Sequence, residues 1–203
     1  SDRDTIYVTT SNYTFPTVVN QGFQGVFLPS GFQNVDLDAY GSWSLSTAAG
    51  AFGNSSQSAY FNNFDIYSNG GKSDLRFFIN LSTPSLSKLK FDVAFAQYST
   101  ANSDTMAVLV STDCGAHFTQ VYLKGGSDLA TAPDNTNSYV PSSSEWRTDS
   151  IDLSSFAGNS QVIVAFRNIG HYGNNLYLDN INLDAHNTTP VVSIDRTEDE
   201  LNV

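Results

Sequence analysis

Apolar and polar residues alternate along most of this chain. In KLKFDVAFAQY (residues 88–98), Leu89, Phe91, Val93 and Phe95 share one face while Asp92, Ala94 and Ala96 take the other, the signature of a half-buried strand. Comparable runs are TIYVTT (5–10), SAYFNN (58–63), DLRFFINL (74–81), TMAVLVS (105–111), HFTQVYL (117–123), WRTDSIDL (146–153), QVIVAFRN (161–168) and LYLDNINL (176–183). Between them lie SNGGKSD, STANSD, KGGSD, APDNTNS and GHYGNN, all rich in turn-forming residues. No stretch carries a helical period. The pattern predicts an all-β protein, a jelly-roll β-sandwich of two antiparallel sheets.

One run breaks the alternation. In LYLDNINLD, Leu176 and Leu178 fall on one face, whereas Ile181 and Leu183 fall on the other together with Asp179. Either the strand changes phase near Asp179, through a β-bulge that turns the acid outward, or a carboxylate points into the core.

Length and composition narrow the class. The 203 residues suit one large β domain with short tails, and 40% apolar, 13% aromatic and 14% charged residues describe a globular chain. Of the 20 acids, 17 are Asp and 3 are Glu, a skew toward turns and caps and away from helices. The net charge of −11 excludes nucleic acid as an expected partner, since neutralising phosphate takes clustered Lys and Arg. The lone Cys114 excludes an intrachain disulfide and a multi-thiolate metal site. No apolar window reaches transmembrane length, so no membrane insertion is expected. Residues 1–20 read as a connector or the tail of a preceding domain, 21–185 as the module, and 186–203 as a polar linker. Ser1 opens the chain without Met or an apolar leader, which reads as a segment of a longer precursor.

From residue 22 to 184 the landmarks run GFQGVFLPSGF, DLDAYGSW, KSDLRFFINL, LKFDVAFAQY, MAVLVSTDCGAHFTQVYLKGG, SEWRTDSIDLSSFAG and VAFRNIGHYGNNLYLDNINL. This ordered series resembles the choice-of-anchor J family, which includes the cleaved adhesin modules of gingipains, and more distantly the MAM domains. The resemblance implies a jelly-roll module of large secreted Bacteroidetes proteins, beside peptidase or PKD-type domains and ahead of a type IX secretion sorting domain, which TEDELNV would approach. It also implies calcium. In the family, the segment matching DLDAYGSW (36–43) has the form DxDxDG with a Trp shortly after it, and an acid stands where Asp179 stands here. Asp36, Asp38 and Gly41 keep that pattern, with Tyr40 in place of the third acid; Gln24 stands where the family has Glu. Alternate carboxylates on a loop that glycine bends can converge oxygens on a hard cation, and an amide oxygen can join them. The other reading of DLDAYG is an exposed acidic turn before the strand starting at Trp43.

Catalytic signatures are absent: the chain has no HExxH, GxSxG, P-loop or GxGxxG. Cys114 and His117 flank what reads as a hairpin turn, and Glu145 with Asp149 or Asp152 reads as the polar face of a strand. Sugar platforms are expected at Tyr98, Tyr139, His171 and Tyr172, loop residues whose other role is to cap the sandwich ends. Trp43 and Trp146 match core positions of the family. Asn-x-Ser/Thr occurs at Asn12, Asn54, Asn80 and Asn187, while DTI, DTM and DSI resemble the Bacteroidetes O-glycosylation site and would place sugars on Thr5, Thr105 and Ser150.

The sequence therefore predicts a non-catalytic, calcium-stabilised adhesion or ligand-positioning module, secreted or at the cell surface. Its partners would be neighbouring domains of the same precursor and an extracellular protein or glycan ligand. The alternative is a carbohydrate-binding module of a polysaccharide-degrading enzyme.

Overall fold

The alternating strands pair into two antiparallel sheets. The computed structural model describes residues 14–187; TIYVTT, Thr5, Asn12 and the TEDELNV tail lie outside them. Eleven strands lie within the described residues: β1 (Val19–Gln21), β2 (Phe32–Asp36), β3 (Ser44–Ser46), β4 (Ser58–Phe61), β5 (Asn69–Ile79), β6 (Leu86–Phe95), β7 (Thr105–Ser111), β8 (Thr119–Gly125), β9 (Arg147–Asp152), β10 (Val162–His171) and β11 (Leu176–His186). One sheet runs β3-β4-β11-β6-β9 with β1 added beside β11, and the other runs β2-β5-β10-β7-β8. The expected all-β jelly-roll sandwich is the observed fold. β1 and β2 escaped the sequence reading because three- and five-residue strands give alternation too little length to register. The expected module boundary at residue 21 falls inside β1, which pairs Val19 with Leu183.

The core lies between the sheets and is rich in phenylalanine. Phe77, Phe91 and Phe166 meet at centroid distances of 4.9–6.2 Å, and Leu89, Phe91, Val93 and Phe95 all point inward. The opposite face of β6 departs from the half-buried expectation. Ala94 and Ala96 are also buried, in a second cluster with Tyr139, Trp146 and Tyr177. The long β8–β9 connection folds over the outer face of this sheet, and alanine is small enough to let it lie close.

The parity break resolves as a bulge. β11 pairs Asp179 with Asp92 and then Asn182 with Lys90, so three steps along β11 oppose two along β6. Asn180 is the extra residue and sits at φ +46, a conformation that Asn tolerates better than most residues. Leu176, Leu178, Ile181 and Leu183 consequently all reach the core. Asp179 turns to the outer face beside Asp92, and the Asn180 amide donates to Asp92 Oδ2 at 2.7 Å. Asp92, with Thr148 on its other oxygen at 2.5 Å, is buried and part of this junction, where alternation alone placed it on an open polar face.

One open edge of the sandwich is closed by charge. β8 and β9 end their respective sheets, and Asp149 of β9 accepts from Tyr122 Oη at 2.6 Å and Lys124 Nζ at 3.0 Å of β8. Arg147 adds a bidentate pair to the same carboxylate at 3.0 and 3.1 Å. Burial pushes the Asp149 carboxyl up, but Arg147, Tyr122 and Lys124 together hold it below the usual carboxylate range.

Asn180→Val would force a β-branched residue into the left-handed conformation and remove the bond to Asp92, for an expected cost on the order of 1–3 kcal/mol. Asn180→Gly keeps the backbone free and should lose only about 1 kcal/mol, for the missing side-chain bond. Urea unfolding should show lowered midpoints in that order with an unchanged m value.

Candidate functional site

Four connections meet at one end of the sandwich. β4 and β6 run toward that end and β5, β7 and β11 start from it, so the β4–β5, β6–β7 and β10–β11 loops converge there, together with the long β8–β9 connection. The first three of these line a cleft of about 400 Å³, formed by Asn63, Phe64, Asp65, Ile66, Tyr67, Tyr98, Asn102, Tyr172 and Gly173.

Two of the four expected platforms meet here. Tyr172 is 42% exposed, and Tyr98 is half-buried with its ring 6.5 Å from that of Phe64. His171 lies outside the lining and packs edge-on against Tyr172 at 5.9 Å. Tyr139 offers no open ring: it belongs to the β8–β9 connection, is 2% exposed and turns inward, edge-on to Tyr177 on the outer face of the sheet. Burial pushes its phenol well above the ordinary value. Alternation and turn chemistry mark where a loop is, not which of its side chains face a sheet that it folds over.

Tyr67 was missed. At 83% it is the most exposed of the large hydrophobic residues among those described, and it stands just before SNGG, so the rule that selected Tyr98 and Tyr172 applies equally to it. Asn63, Asp65 and Asn102 carried no separate signal.

The walls of the cleft are fixed by main-chain hydrogen bonds. Tyr172 N–H donates to Ser68 O at 3.0 Å and Phe64 N–H to Asn175 Oδ1 at 3.3 Å. The buried amides of Asn63 and Asn168 bond reciprocally at 2.9 Å. Asp104, fully buried, accepts the main-chain N–H groups of His171 at 2.7 Å, Gly173 at 3.1 Å and Asn174 at 2.8 Å. A Cβ at Gly173 would collide with that carboxylate, so only glycine fits there. Asp104 therefore ties the β6–β7 loop carrying Tyr98 and Asn102 to the turn carrying Tyr172. Asn174 extends the frame by donating to Asn135 O and Asn137 O at 2.7 and 2.8 Å.

The expected metal residues occupy two places. Asp179 Oδ2 accepts Ala51 N–H at 2.9 Å and Ser55 Oγ at 2.5 Å, and Oδ1 accepts Asn180 N–H at 2.8 Å. Gln24 reaches the same 50–57 loop, accepting Ser56 N–H at 3.3 Å and donating to Gln57 O at 3.0 Å. Asp179 and Gln24 thus lie on either side of one loop. The surrounding atoms are carboxylate, amide, hydroxyl and carbonyl oxygens, a donor set of the kind that suits a hard cation, with Asp179 the one carboxylate bonded to the loop. No group of three His, Cys, Asp or Glu that could hold a metal occurs among the described residues. Burial, with a smaller push from Asp92, raises the Asp179 carboxyl above its ordinary value despite three hydrogen bonds that lower it.

Asp36 ends β2, in the other sheet, and Asp38 lies in the loop that follows it. Asp36 accepts the N–H groups of Asp38, Tyr40 and Gly41 at 3.0–3.3 Å, and Asp38 accepts Lys72 N–H at 2.9 Å. These bonds make the DLDAYG loop a closed turn. It leans on the cleft, since a Cβ at Gly41 (φ +145) would meet Ile66 Cδ1 at 2.6 Å.

The remaining candidates are separated or engaged elsewhere. His117 Nδ1 lies 2.7 Å from Asp113, and Cys114 Sγ faces Gln161 Oε1 at 3.7 Å, so the turn sets no imidazole on the thiol. Glu145 accepts Ser142 N–H at 2.8 Å and Asp152 accepts Ser154 N–H at 2.8 Å, while Asp149 belongs to the β8–β9 closure. Ser150 is exposed on edge strand β9, whereas Thr105 is half-buried against Gly125. Trp43 and Trp146 are core residues, as expected.

Solved structures share this architecture. The K1 cleaved adhesin domain of Lys-gingipain from Porphyromonas gingivalis W83 superposes with a TM-score of 0.60 at 20% identity, covering 84% of this chain and 99% of that one. The K2 cleaved adhesin domain of Lys-gingipain gives 0.57 at 17% identity over 82% and 99%. The CBM27-1 module of Caldicellulosiruptor saccharolyticus, solved in complex with mannohexaose, gives 0.51 at 15% identity over 81% and 95%. Neither protein-family models nor curated proteins match the chain. At these identities the likeness establishes the β-sandwich fold.

Asp104 generates a pH prediction. Burial pushes its carboxyl up to about 6 against the pull of the three amides and His171. With the folded value above the unfolded one, the folded state binds more protons between about pH 4 and 6. Its contribution to stability is therefore fully present below about pH 4 and falls as the pH rises through 6, by about 3 kcal/mol for a two-unit shift. Asp104→Asn should flatten the stability profile in that window, measured as urea midpoints at pH 4, 5, 6 and 7.

Proposed function

We propose that the chain is a non-catalytic, calcium-stabilised binding module of a secreted or cell-surface protein, which holds an extracellular ligand for the domains joined to it. One observation carries this reading: Tyr67, Tyr98 and Tyr172 come from three separate loops to line one cleft. The cleft lies at the end of the sandwich opposite Val18 and His186, which border a common groove at the far end. A ligand held there would stand clear of those chain segments. The carboxyls and the thiol with catalytic potential are engaged in turns and ion pairs, which supports a binding role. The sandwich shared with the gingipain adhesin domains supports the adhesion reading, and the fold shared with CBM27-1 supports the carbohydrate-binding alternative.

Calcium would be held by Asp179 and Gln24 with the oxygens of the 50–57 loop, pinning β11 to that loop and to the segment after β1. A single direct carboxylate places the expected dissociation constant at about 10⁻⁴–10⁻³ M, the range of extracellular modules.

Two measurements test the reading. Calcium at about 100 times its dissociation constant should stabilise the fold by roughly 2.7 kcal/mol, and chelator should lower the melting temperature. Asp179→Asn should remove that response; its survival in Asp36→Asn and Asp38→Asn would keep the ion at Asp179. A melting curve indifferent to chelator would sink the calcium assignment. Separately, the purified protein should turn over neither peptide nor polysaccharide substrates, and robust turnover of either would overturn the binding-module reading.

A further inference from the structure

We propose that the Tyr67–Tyr98–Tyr172 cleft takes an uncharged oligosaccharide. The inference rests on the binding-module reading and names the ligand of that site.

The lining chemistry selects the class. Its nine residues include three tyrosines and one phenylalanine but no Lys, Arg or His. Aromatic faces stack on the C–H faces of sugar rings, and phenol hydroxyls, together with the side chains of Asn102 and Asp65, offer hydrogen bonds at the rim. Acidic ligands meet no cation in the lining, one carboxylate at Asp65, and a net charge of −11 on the whole chain. Asp65 is the one carboxylate in the lining, and its Oδ2 already accepts the Asn62 amide at 2.8 Å.

The architecture disfavours a strand-adding or a helical peptide. Extended peptides bind by adding a strand to a sheet edge, and helical ones lie in a long apolar groove. This cleft is walled by loop tips between strands and presents neither.

The platforms are preorganised. Tyr172 is held at φ +53, where a bulky side chain is strained. Its N–H bond to Ser68 and the Asp104 bonds to its neighbours His171 and Gly173 fix that geometry. His171 backs its ring edge-on. An open aromatic ring fixed at an energetic cost, beside the open ring of Tyr67, is the form of a stacking platform.

The test is a binding measurement on the whole chain with defined probes: neutral β-mannan, β-glucan, xylan and galactan hexasaccharides, and acidic alginate and polygalacturonate oligosaccharides. At least one neutral hexasaccharide should bind, with affinity little changed by salt. Tyr67→Ala and Tyr172→Ala should each weaken it roughly ten-fold, while Leu123→Ala, at an exposed apolar residue of edge strand β8 outside the lining, should leave it unchanged. Because Tyr67 is 83% exposed, its truncation should leave the melting temperature unchanged and separate lost contact from lost folding. Binding confined to acidic probes would overturn the proposal, as would neutral binding indifferent to Tyr67 and Tyr172. Failure of every neutral probe, or a protein ligand displaced by Tyr67→Ala, would also overturn it while leaving the binding-module reading intact.

Discussion

The extra residue at Asn180 is the constraint on which the rest of the sandwich turns. β11 is the spine of the larger sheet, bonded to β1, β4 and β6. Without a phase change it would bury either Leu176 and Leu178 or Ile181 and Leu183, never both pairs. The bulge lets all four reach the core and leaves Asp179 on the outer face, where the 50–57 loop folds onto it. Above the bulge, Tyr177 faces outward and becomes the floor on which Tyr139 and Trp146 pack.

Acidic side chains organise the loops around that spine. Asp36, Asp104 and Asp179 each accept main-chain N–H groups of a connection that would otherwise lack strand partners. Asp74 is buried between two guanidiniums, Arg76 at 2.7 Å and Arg167 at 2.7 Å, and pins β5 to β10. Asp149 closes the β8–β9 edge. Much of the Asp excess is therefore internal frame. Desolvation opposes each such group, and hydrogen-bond donors offset it to different extents. Asp149, with three cationic or phenolic partners, ends below the usual range, whereas Asp104, with amides alone, ends above it.

Frame and cleft are coupled through these carboxylates. Asp104 joins two of the loops that bring tyrosines to the cleft, and the DLDAYG turn closed by Asp36 presses Gly41 on Ile66 in the lining. The binding surface is thus built on the rigid end of the sandwich, which limits the ordering a ligand must bring about on arrival.

Alternation along the chain determined the all-β class, eight of the strands, the inward faces of β6 and the existence of a phase problem at Asp179, because a period of two is a local property that survives any arrangement of neighbours. Turn chemistry likewise located the loops that carry Tyr98 and Tyr172. Only the tertiary structure decided that the phase problem is a bulge, that Tyr139 is buried while Tyr67 is open, and that Gln24 and Asp179 share a loop while Asp36 and Asp38 lie at the end of a strand of the other sheet. Each of those depends on which distant segment covers which, and residues 104 and 171, or 24 and 56, become neighbours only when non-adjacent strands pair. The local pattern carries no term for that distance.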